Sequence, residues 1–275
     1  MIIKSDWHMH TEHSYDSTLP MDELVPMLRE IGLESFGITD HVNYNEDCYF
    51  DAIKGAAPHA RRLKESYPEL HLGVELTPIN KPEFDYLAMH SSRDGYIPPV
   101  TGKPYGMELA MNADQLAEHG VEYVVGATHW RVDVADKNEL CELDHLIREW
   151  HRQQMWLAND ERVTILGHPW YNGRAAWYSD FSVIPRSMHD ELFAAIIENG
   201  KYMECNPDVL LSWKAEEKFH MQYAEFLREG FERGVRITYG SDSHNRYLDR
   251  RDKVEALLSR VGFKEGDFSS LEFGE

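Results

Sequence analysis

Short runs of apolar and β-branched residues alternate along this chain with longer stretches in which apolar residues recur at helical spacing. The short runs favour buried strands, and the longer stretches favour amphipathic helices. We predict seven strands, at Ile2–Trp7, Ser35–Thr39, His71–Leu76, Glu122–Thr128, Val163–Leu166, Tyr202–Cys205 and Arg236–Tyr239. We predict helices between and after them, at Met21–Ile31, Asp51–Tyr67, Ala113–His119, Glu139–Ala158, Met188–Asn199, Ala215–Arg233 and Asp252–Val261.

Regular alternation of strands and helices predicts a parallel sheet with helices packed outside it. Seven such units in a single domain, residues 1–275, predict an α/β barrel related to the eight-fold TIM barrel. Two segments interrupt the alternation: Ser91–Met107, which is rich in proline and glycine, and Asn172–Pro185, which is rich in aromatic residues. We predict long loops there, either lids over a binding site or plain surface excursions.

The composition excludes several classes of protein. Lys and Arg total 28 and Asp and Glu total 48, so the formal net charge is −20. This charge disfavours a general binder of nucleic acid or of an anionic membrane surface, because both need clustered cations. No apolar run approaches the ~18 residues that span a bilayer, and the N-terminus lacks a signal-peptide core. Three widely spaced cysteines predict reduced thiols and a cytoplasmic location.

The chain has 15 histidines, and several lie where predicted strands end. Six of the seven predicted strands have a His, Asp or Glu at or near the C-terminal end, where α/β barrels build their sites. A single histidine at such a place is as often a hydrogen-bonded core residue, but six strand ends together favour a common site. Imidazole and carboxylate are ligands of Zn, Mn and Fe, and no cysteine pair supports a zinc–thiolate site. The candidate ligands are His8, His10, His41, Glu75, His129, His168, Asp242 and His244.

The strand-end motifs resemble those of the PHP family, named for polymerase and histidinol phosphatase domains. In chain order they are DxHxH at 6–10, TDH at 39–41, GVE at 73–75, GxxH at 126–129, GHP at 167–169 and GSDSH at 240–244. The resemblance runs from Asp6 to His244 and implies a distorted (β/α)7 TIM-like barrel. It also implies two or three divalent ions, among Zn, Mn and Fe, at the C-terminal end of the barrel.

The same resemblance implies three sets of ligands. The first is His8, His10, Glu75 and Asp242; the second is Glu75, His129 and His168, with Glu75 bridging; the third is Asp16, His41 and His244. Many relatives have a histidine where this chain has Asp16, so His13 is an alternative ligand. If neither Asp16 nor His13 binds, we expect two metals.

The resemblance further implies hydrolysis of a phosphate ester by a hydroxide that bridges the metals, with Glu75 as the shared ligand. Asp40 and Asp16 are the candidate acids for the leaving group. Arginine pairs well with phosphate oxygens, although a surface role is the commoner one for any single arginine. The candidate arginines near the motifs or in the long loop are Arg174, Arg131, Arg246 and Arg93.

We therefore expect a metal-dependent phosphatase of the histidinol-phosphatase type, with a small-molecule phosphate ester, best L-histidinol phosphate, as substrate. The aromatic and acidic groups of Tyr171–Asp180 suit its ammonium and imidazole. The main alternative is a phosphatase or phosphodiesterase that acts on another small molecule such as a nucleotide. A nuclease and a non-catalytic metal-binding domain are less favoured, and the sequence leaves the oligomeric state open.

Overall fold

A computed structural model of the protein describes residues 3–43, 47–89, 105–134, 139–174 and 176–273. Within these residues, seven parallel strands form one sheet in the order β1-β2-β3-β6-β7-β8-β9. All seven fall where the sequence predicted strands. They are β1 (Ser5–Asp6), β2 (Ser35–Ile38), β3 (Leu70–Leu76), β6 (Tyr123–Gly126), β7 (Ile165–Leu166), β8 (Tyr202–Cys205) and β9 (Arg236–Tyr239).

Backbone hydrogen bonds join the two ends of this sheet. Trp7 N donates to Tyr239 O at 2.9 Å, and Asp242 N donates to His8 O at 2.7 Å. A further bond from His10 N to Ser243 O, at 2.9 Å, extends the pairing beyond the strand ends. The first and last strands thus close the sheet, which confirms the distorted (β/α)7 barrel.

The predicted helices are present, most of them with shifted ends. They are α1 (Met21–Glu30), α2 (Asp47–Lys64), α4 (Ala113–His119), α5 (Leu143–Asn159), α6 (Arg186–Glu198), α8 (Glu217–Glu232) and α9 (Arg251–Ser259). Two helix starts are shifted by four residues: α2 was predicted to begin at Asp51, and α5 at Glu139. The Glu139 carbonyl instead accepts hydrogen bonds from Arg131 and Arg174, at 3.3 and 3.1 Å.

Several short elements were not predicted. They are the antiparallel pair β4 (Ile79–Asn80) and β5 (Met107–Glu108), the helix α3 (Lys81–Met89) and the single-turn α7 (Pro207–Leu210). Most of the predicted loop Ser91–Met107 lies outside the described residues. The other predicted loop is packed inward, because the side chains of Trp177, Tyr178 and Phe181 are buried.

The barrel interior at the N-terminal ends of the strands is apolar and filled. Tyr123 lies across it and donates its hydroxyl to Trp7 O at 3.0 Å. The ring occupies space that side chains at Gly37 and Gly73 would fill, since a Cβ at either position would fall within 2.5 Å of a Tyr123 atom. The chain from 268 to 273, the terminal segment, covers this end: Ser269 N donates to Ile237 O at 2.7 Å. Apolar side chains also meet here, namely Trp7, Tyr123, Val125, Ile165, Tyr202, Leu271 and Phe273.

The helices of the described residues are all too short or too polar to cross a bilayer.

Candidate metal centre

His8 and His10 follow β1 and point to the same side of the chain because they are two residues apart. Their side chains are completely buried at the C-terminal end of the barrel. Below them, the Asp6 carboxylate accepts hydrogen bonds from Ser241 N at 2.9 Å and from the Tyr247 hydroxyl at 3.1 Å. Burial raises the pKa of Asp6 to about 6 against the lowering effect of these bonds. Asp6 therefore ties the end of β1 to the segment after β9, and so positions both histidines.

Glu75, near the end of β3, lies at the middle of the cluster, and its two oxygens face different histidines. Oε2 is 3.1 Å from His8 Nε2, 3.3 Å from His10 Nε2 and 3.0 Å from His41 Nδ1. Oε1 is 3.1 Å from His168 Nε2 and 3.4 Å from His129 Nε2. This division of the two oxygens is what a bridging carboxylate requires.

Two effects set the pKa values of the cluster: burial, which favours the neutral form of each group, and nearby opposite charges, which favour the ionised form. Burial would raise the pKa of Glu75, but the charges of His41 and His8 lower it well below its usual range. Asp242 behaves in the same way, since His8 and His10 outweigh its burial and lower its pKa. Burial lowers the pKa of His129 to about 3. The carboxylates are therefore ionised at neutral pH, and His129 is a neutral imidazole with a lone pair to offer.

Asp16, on the loop after β1, lies at the outer side of the cluster. Its Oδ2 is 3.4 Å from His41 Nε2 and 3.2 Å from His244 Nε2. Its other oxygen accepts from the Ser14 hydroxyl at 2.9 Å. His13, the alternative to Asp16, instead contacts His59, at 3.0 Å between ring nitrogens.

Two candidate ligands have a backbone in the left-handed region. Asp242 has a φ of 54° and His168 a φ of 25°, values that disfavour residues with a side chain. Such conformations cost about 1–3 kcal/mol and concentrate at functional sites. At Asp242 the conformation brings Oδ1 to 3.2 Å from His10 Nε2 and 3.6 Å from His8 Nε2. The unfavourable backbone conformation of Asp242 therefore places its carboxylate in the cluster.

The donors in the cluster fit divalent metal ions. Among the described residues, several buried cluster atoms lie close to one another without the alignment of a hydrogen bond, a state that costs free energy unless the lone pairs are used. Imidazole nitrogens and carboxylate oxygens in one buried place suit Zn, Fe or Mn. The unpartnered atoms are His8 Nε2, both ring nitrogens of His10, His41 Nδ1, His168 Nδ1 and Glu75 Oε2.

Three groups of candidate ligands have donor atoms within 4.8 Å of one another. They are His8, His10 and Glu75; His41, Glu75 and His129; and His10, Asp16, His41 and His244. They overlap the three implied ligand sets without matching them one by one, since His10 and His41 each belong to two groups. All nine predicted ligands lie in this one cluster.

The residues that orient the cluster were not predicted from the sequence. Glu204 on β8 is 1% exposed, and its Oε1 is 2.8 Å from His8 Nδ1. It also accepts from the backbone N–H of His168 and from Asn206 Nδ2. A carboxylate on the far nitrogen of a histidine fixes which nitrogen keeps its lone pair, and here Nε2 faces Glu75. The available signal was an acidic residue inside the buried run Tyr202–Cys205.

The candidate acids differ in position. Both oxygens of the buried Asp40 accept hydrogen bonds from Thr11, from its backbone N–H and its hydroxyl. Burial raises the pKa of Asp40 despite these bonds. Asp40 therefore holds the loop after β1, whereas Asp16 lines the open pocket above the cluster.

This pocket has a volume of about 410 Å³ and carries two cations on its outer wall, Lys214 and Arg250. Lys214 Nζ donates to Gly173 O at 3.2 Å. Arg250 forms an ion pair with Asp208, and its Nη2 donates to Ser241 O at 3.0 Å. The pocket is lined by Tyr15, Asp16, His41, His129, His168, Tyr171, Asn172, Tyr178, Asp208, Leu211, Ser212, Trp213, Lys214, Asp242, His244 and Arg250.

Three of the four arginines predicted to bind phosphate lie elsewhere. Arg131 is 3% exposed and pairs through two nitrogens with Asp133, at 2.8 and 2.7 Å. Arg174 donates to the Glu139 carbonyl, and Arg246 is exposed on the segment after β9. None of these three belongs to the pocket wall that the structure describes. Arg93 lies outside the described residues.

Comparisons with known proteins agree with this architecture. A model of the PHP domain family matches residues 6–208. A probable phosphatase of Acetivibrio thermocellus is 26% identical over 259 residues, which cover 93% of this chain and 86% of the relative. A probable histidinol-phosphatase of Thermotoga maritima is 21% identical over 263 residues, which cover 94% and 93%.

A solved structure shares the fold. Histidinol phosphate phosphatase of Lactococcus lactis, crystallised with zinc, L-histidinol and phosphate, superposes with a TM-score of 0.65 at 19% identity. The alignment covers 95% of this chain and 94% of that protein. Because the PHP family model spans more than half of the sequence, and the barrel and its motifs agree with it, the chain belongs to the PHP domain family.

Proposed function

We propose that the chain hydrolyses a small phosphomonoester with the help of bound divalent metal ions, and that L-histidinol phosphate is its best substrate. Its enzyme class, a phosphoric ester hydrolase, follows from its family and from relatives named as phosphatases. The observation that carries the proposal is the buried Glu75 carboxylate, which faces five histidines at 3.0–3.4 Å.

Nine side chains of this cluster would hold the metals, in the sets that the family resemblance implies. Two or three divalent ions, among Zn, Mn and Fe, suit a donor set of imidazoles and carboxylates. When bound, such ions supply Lewis-acid charge and an activated water for attack on phosphorus. The ligands are His8, His10, Asp16, His41, Glu75, His129, His168, Asp242 and His244.

The protein itself would orient these ligands and hold the substrate. Glu204 keeps His8 turned towards Glu75, and Thr77 holds His129 through a 2.8 Å contact between Oγ1 and Nδ1. Burial would raise the pKa of Asp16, but hydrogen bonds from His244 and His41 lower it well below its usual range, so we propose Asp16 as an ionised ligand and not as the proton donor to the leaving group. No side chain is needed as a covalent nucleophile.

The wall of the pocket suits an ester with a phosphate at one end and a cation at the other. Lys214 and Arg250 offer positive charge to the phosphate oxygens. The aromatic faces of Tyr171 and Trp213 offer partners for an ammonium or an imidazole. The formal charge of −20 disfavours long polyanions, which supports a small substrate over nucleic acid.

The test is a comparison of kcat/KM for L-histidinol phosphate, a nucleoside monophosphate, an aryl phosphate and a phosphodiester. Each is measured on protein reconstituted with Zn, Mn or Fe. We expect L-histidinol phosphate to be the best. If kcat/KM for the nucleotide is a hundredfold higher, a difference of about 2.7 kcal/mol in transition-state stabilisation, the substrate would be a nucleotide instead. A higher kcat/KM for the phosphodiester would contradict the proposed monoesterase activity.

The expected cytoplasmic location stays a prediction. Among the described side chains, Cys141 and Cys205 are free thiols.

A further inference from the structure

A second cluster of potential metal ligands lies outside the pocket, on the outer face of the loop after β1. It consists of Glu12, His13 and His59, whose donor atoms lie within 4.8 Å of one another. Glu12 and His13 belong to the loop, and His59 belongs to α2. None of the three lines the pocket described above.

We propose that Glu12, His13 and His59 form a separate binding site for a divalent transition-metal ion, of which Zn²⁺ is the probe. Two imidazoles and one carboxylate, with water as a fourth ligand, form a common zinc coordination set. The proposal does not depend on which substrate the enzyme hydrolyses.

The distances between the donors suit a tetrahedral ion. Zinc–nitrogen bonds of about 2.0–2.1 Å place two ligand nitrogens about 3.3 Å apart. His13 Nε2 and His59 Nδ1 are 3.0 Å apart. Glu12 Oε1 is 3.8 Å from His59 Nδ1, and its half-exposed side chain has room for the small shift needed.

Two of the three ligands are also oriented by a contact on the side away from the proposed ion. Glu12 accepts from Met21 N, at the start of α1, through Oε2 at 2.7 Å, which leaves Oε1 on the side of His59. His59 Nε2 is 3.2 Å from Asp22 Oδ1. A carboxylate beside the far nitrogen favours a proton there and leaves the lone pair of Nδ1 for a metal. Arg62 holds this carboxylate, with its Nη2 2.7 Å from Asp22 Oδ1.

The helix opposite His13 makes room for its ring. A Cβ at Gly55 would lie 2.6 Å from His13 Nδ1, so any larger residue there would displace the imidazole. A glycine inside a helix costs about 1 kcal/mol relative to alanine. The ring therefore lies directly against the backbone of α2, and an ion between His13 and His59 would link α2 to the loop that carries Asp16.

The test counts zinc. Metal-free protein is equilibrated with buffered Zn²⁺, and the bound zinc per chain is measured by elemental analysis. We expect His59→Gln and Glu12→Gln each to bind one zinc fewer than the wild type. His119→Gln, a histidine at the end of α4, is the matched control and retains the full number.

A second readout locates the ion. Anomalous diffraction from zinc-soaked crystals is expected to show a peak between His13 and His59 that is absent in His59→Gln. We expect kcat/KM of both variants to stay within twofold of the wild type. Equal zinc content in the wild type and in both variants would overturn the proposal. So would loss of zinc together with activity, because the missing ion would then belong to the Glu75 cluster.

If His59→Gln does not fold, Glu12→Gln decides the question, since it leaves both rings in place. A phosphate ester panel that fails to identify a substrate would contradict the proposed function and leave this zinc count unchanged.

Discussion

The carboxylate of Glu75 is placed between two groups of histidines, so its charge serves both sides of the cluster. We predict that Glu75→Gln lowers kcat/KM at least a hundredfold, about 2.7 kcal/mol, because an amide cannot offer two anionic oxygens. His168→Ala should lower it severely but less, since His168 faces one side only. Steady-state kinetics and metal content of the purified variants check both effects.

A matched control is available at the other end of the barrel. Glu122 pairs with Lys64 and His71, at 2.7 and 2.9 Å, away from the cluster. We expect Glu122→Gln to keep its activity and its metals. Near-normal turnover in Glu75→Gln would contradict the bridging role.

His189 on α6 is a buried histidine with a different role. It stacks on Phe181 and meets Phe226 edge to face, with ring centroids 5.2 and 4.8 Å apart. Burial lowers the pKa of His189 to about 4, and the charge of Arg186 adds to this. The folded protein therefore keeps the ring neutral at pH values where the unfolded chain, with a pKa near 6.5, binds a proton.

This difference in pKa predicts a loss of stability in acid. Between pH 6.5 and 4 the unfolded state binds more protons at His189, so the free energy of unfolding falls as the pH falls. The total loss is about 3 kcal/mol, because each pH unit between the two pKa values contributes ~1.4 kcal/mol. We predict a flatter pH dependence for His189→Gln, measured by urea denaturation at about pH 7.5 and about pH 5. If the free energy of unfolding changes equally with pH in the variant and the wild type, His189 does not cause the loss of stability in acid.

At the scale of elements, the end of β9 packs closely against its neighbours β1 and β8. A Cβ at Gly240 would lie 1.8 Å from Glu204 Oε1 and 2.5 Å from His8 Cβ. We predict that Gly240→Ala displaces the Glu204 carboxylate from His8 and lowers both metal affinity and kcat/KM at least tenfold. Gly106→Ala is the control, because its nearest contact is an ordinary 3.4 Å. Metal titration and kinetics of the two variants decide the matter.

The strands of the main sheet and the helices around it could be predicted because their sequence signals are local. Strands such as β8 and β9 are short apolar runs, and a helix such as α4 has a capping residue, Asn112, and a terminal glycine, Gly120 with φ 72°. The pair β4 and β5 could not be predicted, since two residues carry no periodicity and their pairing joins positions far apart in the chain.

The site was predictable only in part, for the same reason. Strand-end motifs identified the residues that meet in the cluster. The cations of the pocket wall were missed, because Lys214 and Arg250 reach the pocket through folding of segments without a recognisable motif. Arg131 was predicted to bind phosphate from its nearness to His129, but nearness in sequence does not reveal its buried pairing with Asp133.

At the scale of the whole molecule, the terminal segment closes the end of the barrel opposite the cluster. Leu271 is 8% exposed inside the interior apolar cluster, and Phe273 stacks on His71 with ring centroids 4.0 Å apart. We predict that Leu271→Ala costs about 2–3 kcal/mol of folding stability, and that Phe273→Ala also destabilises the protein. Both variants should keep their activity at low temperature, because the segment lies at the opposite end of the barrel from the Glu75 cluster.

Thermal unfolding and kinetics of the same samples check this separation. Leu140→Ala, at a position that is 83% exposed, is the control and should leave the melting temperature unchanged. The structural role of the terminal segment would be contradicted if Leu271→Ala is as stable as the wild type. It would also be contradicted if the folded variant loses activity.

Closure of the barrel by its first and last strands has a consequence for biosynthesis. His8 and His10 leave the ribosome early in translation, whereas Asp242 and His244 leave near its end. Until β9 docks beside β1, the nascent chain presents an incomplete coordination sphere. Completion of the cluster must therefore follow synthesis of nearly the whole polypeptide, and chains that stop before Asp242 would lack two of its nine proposed ligands.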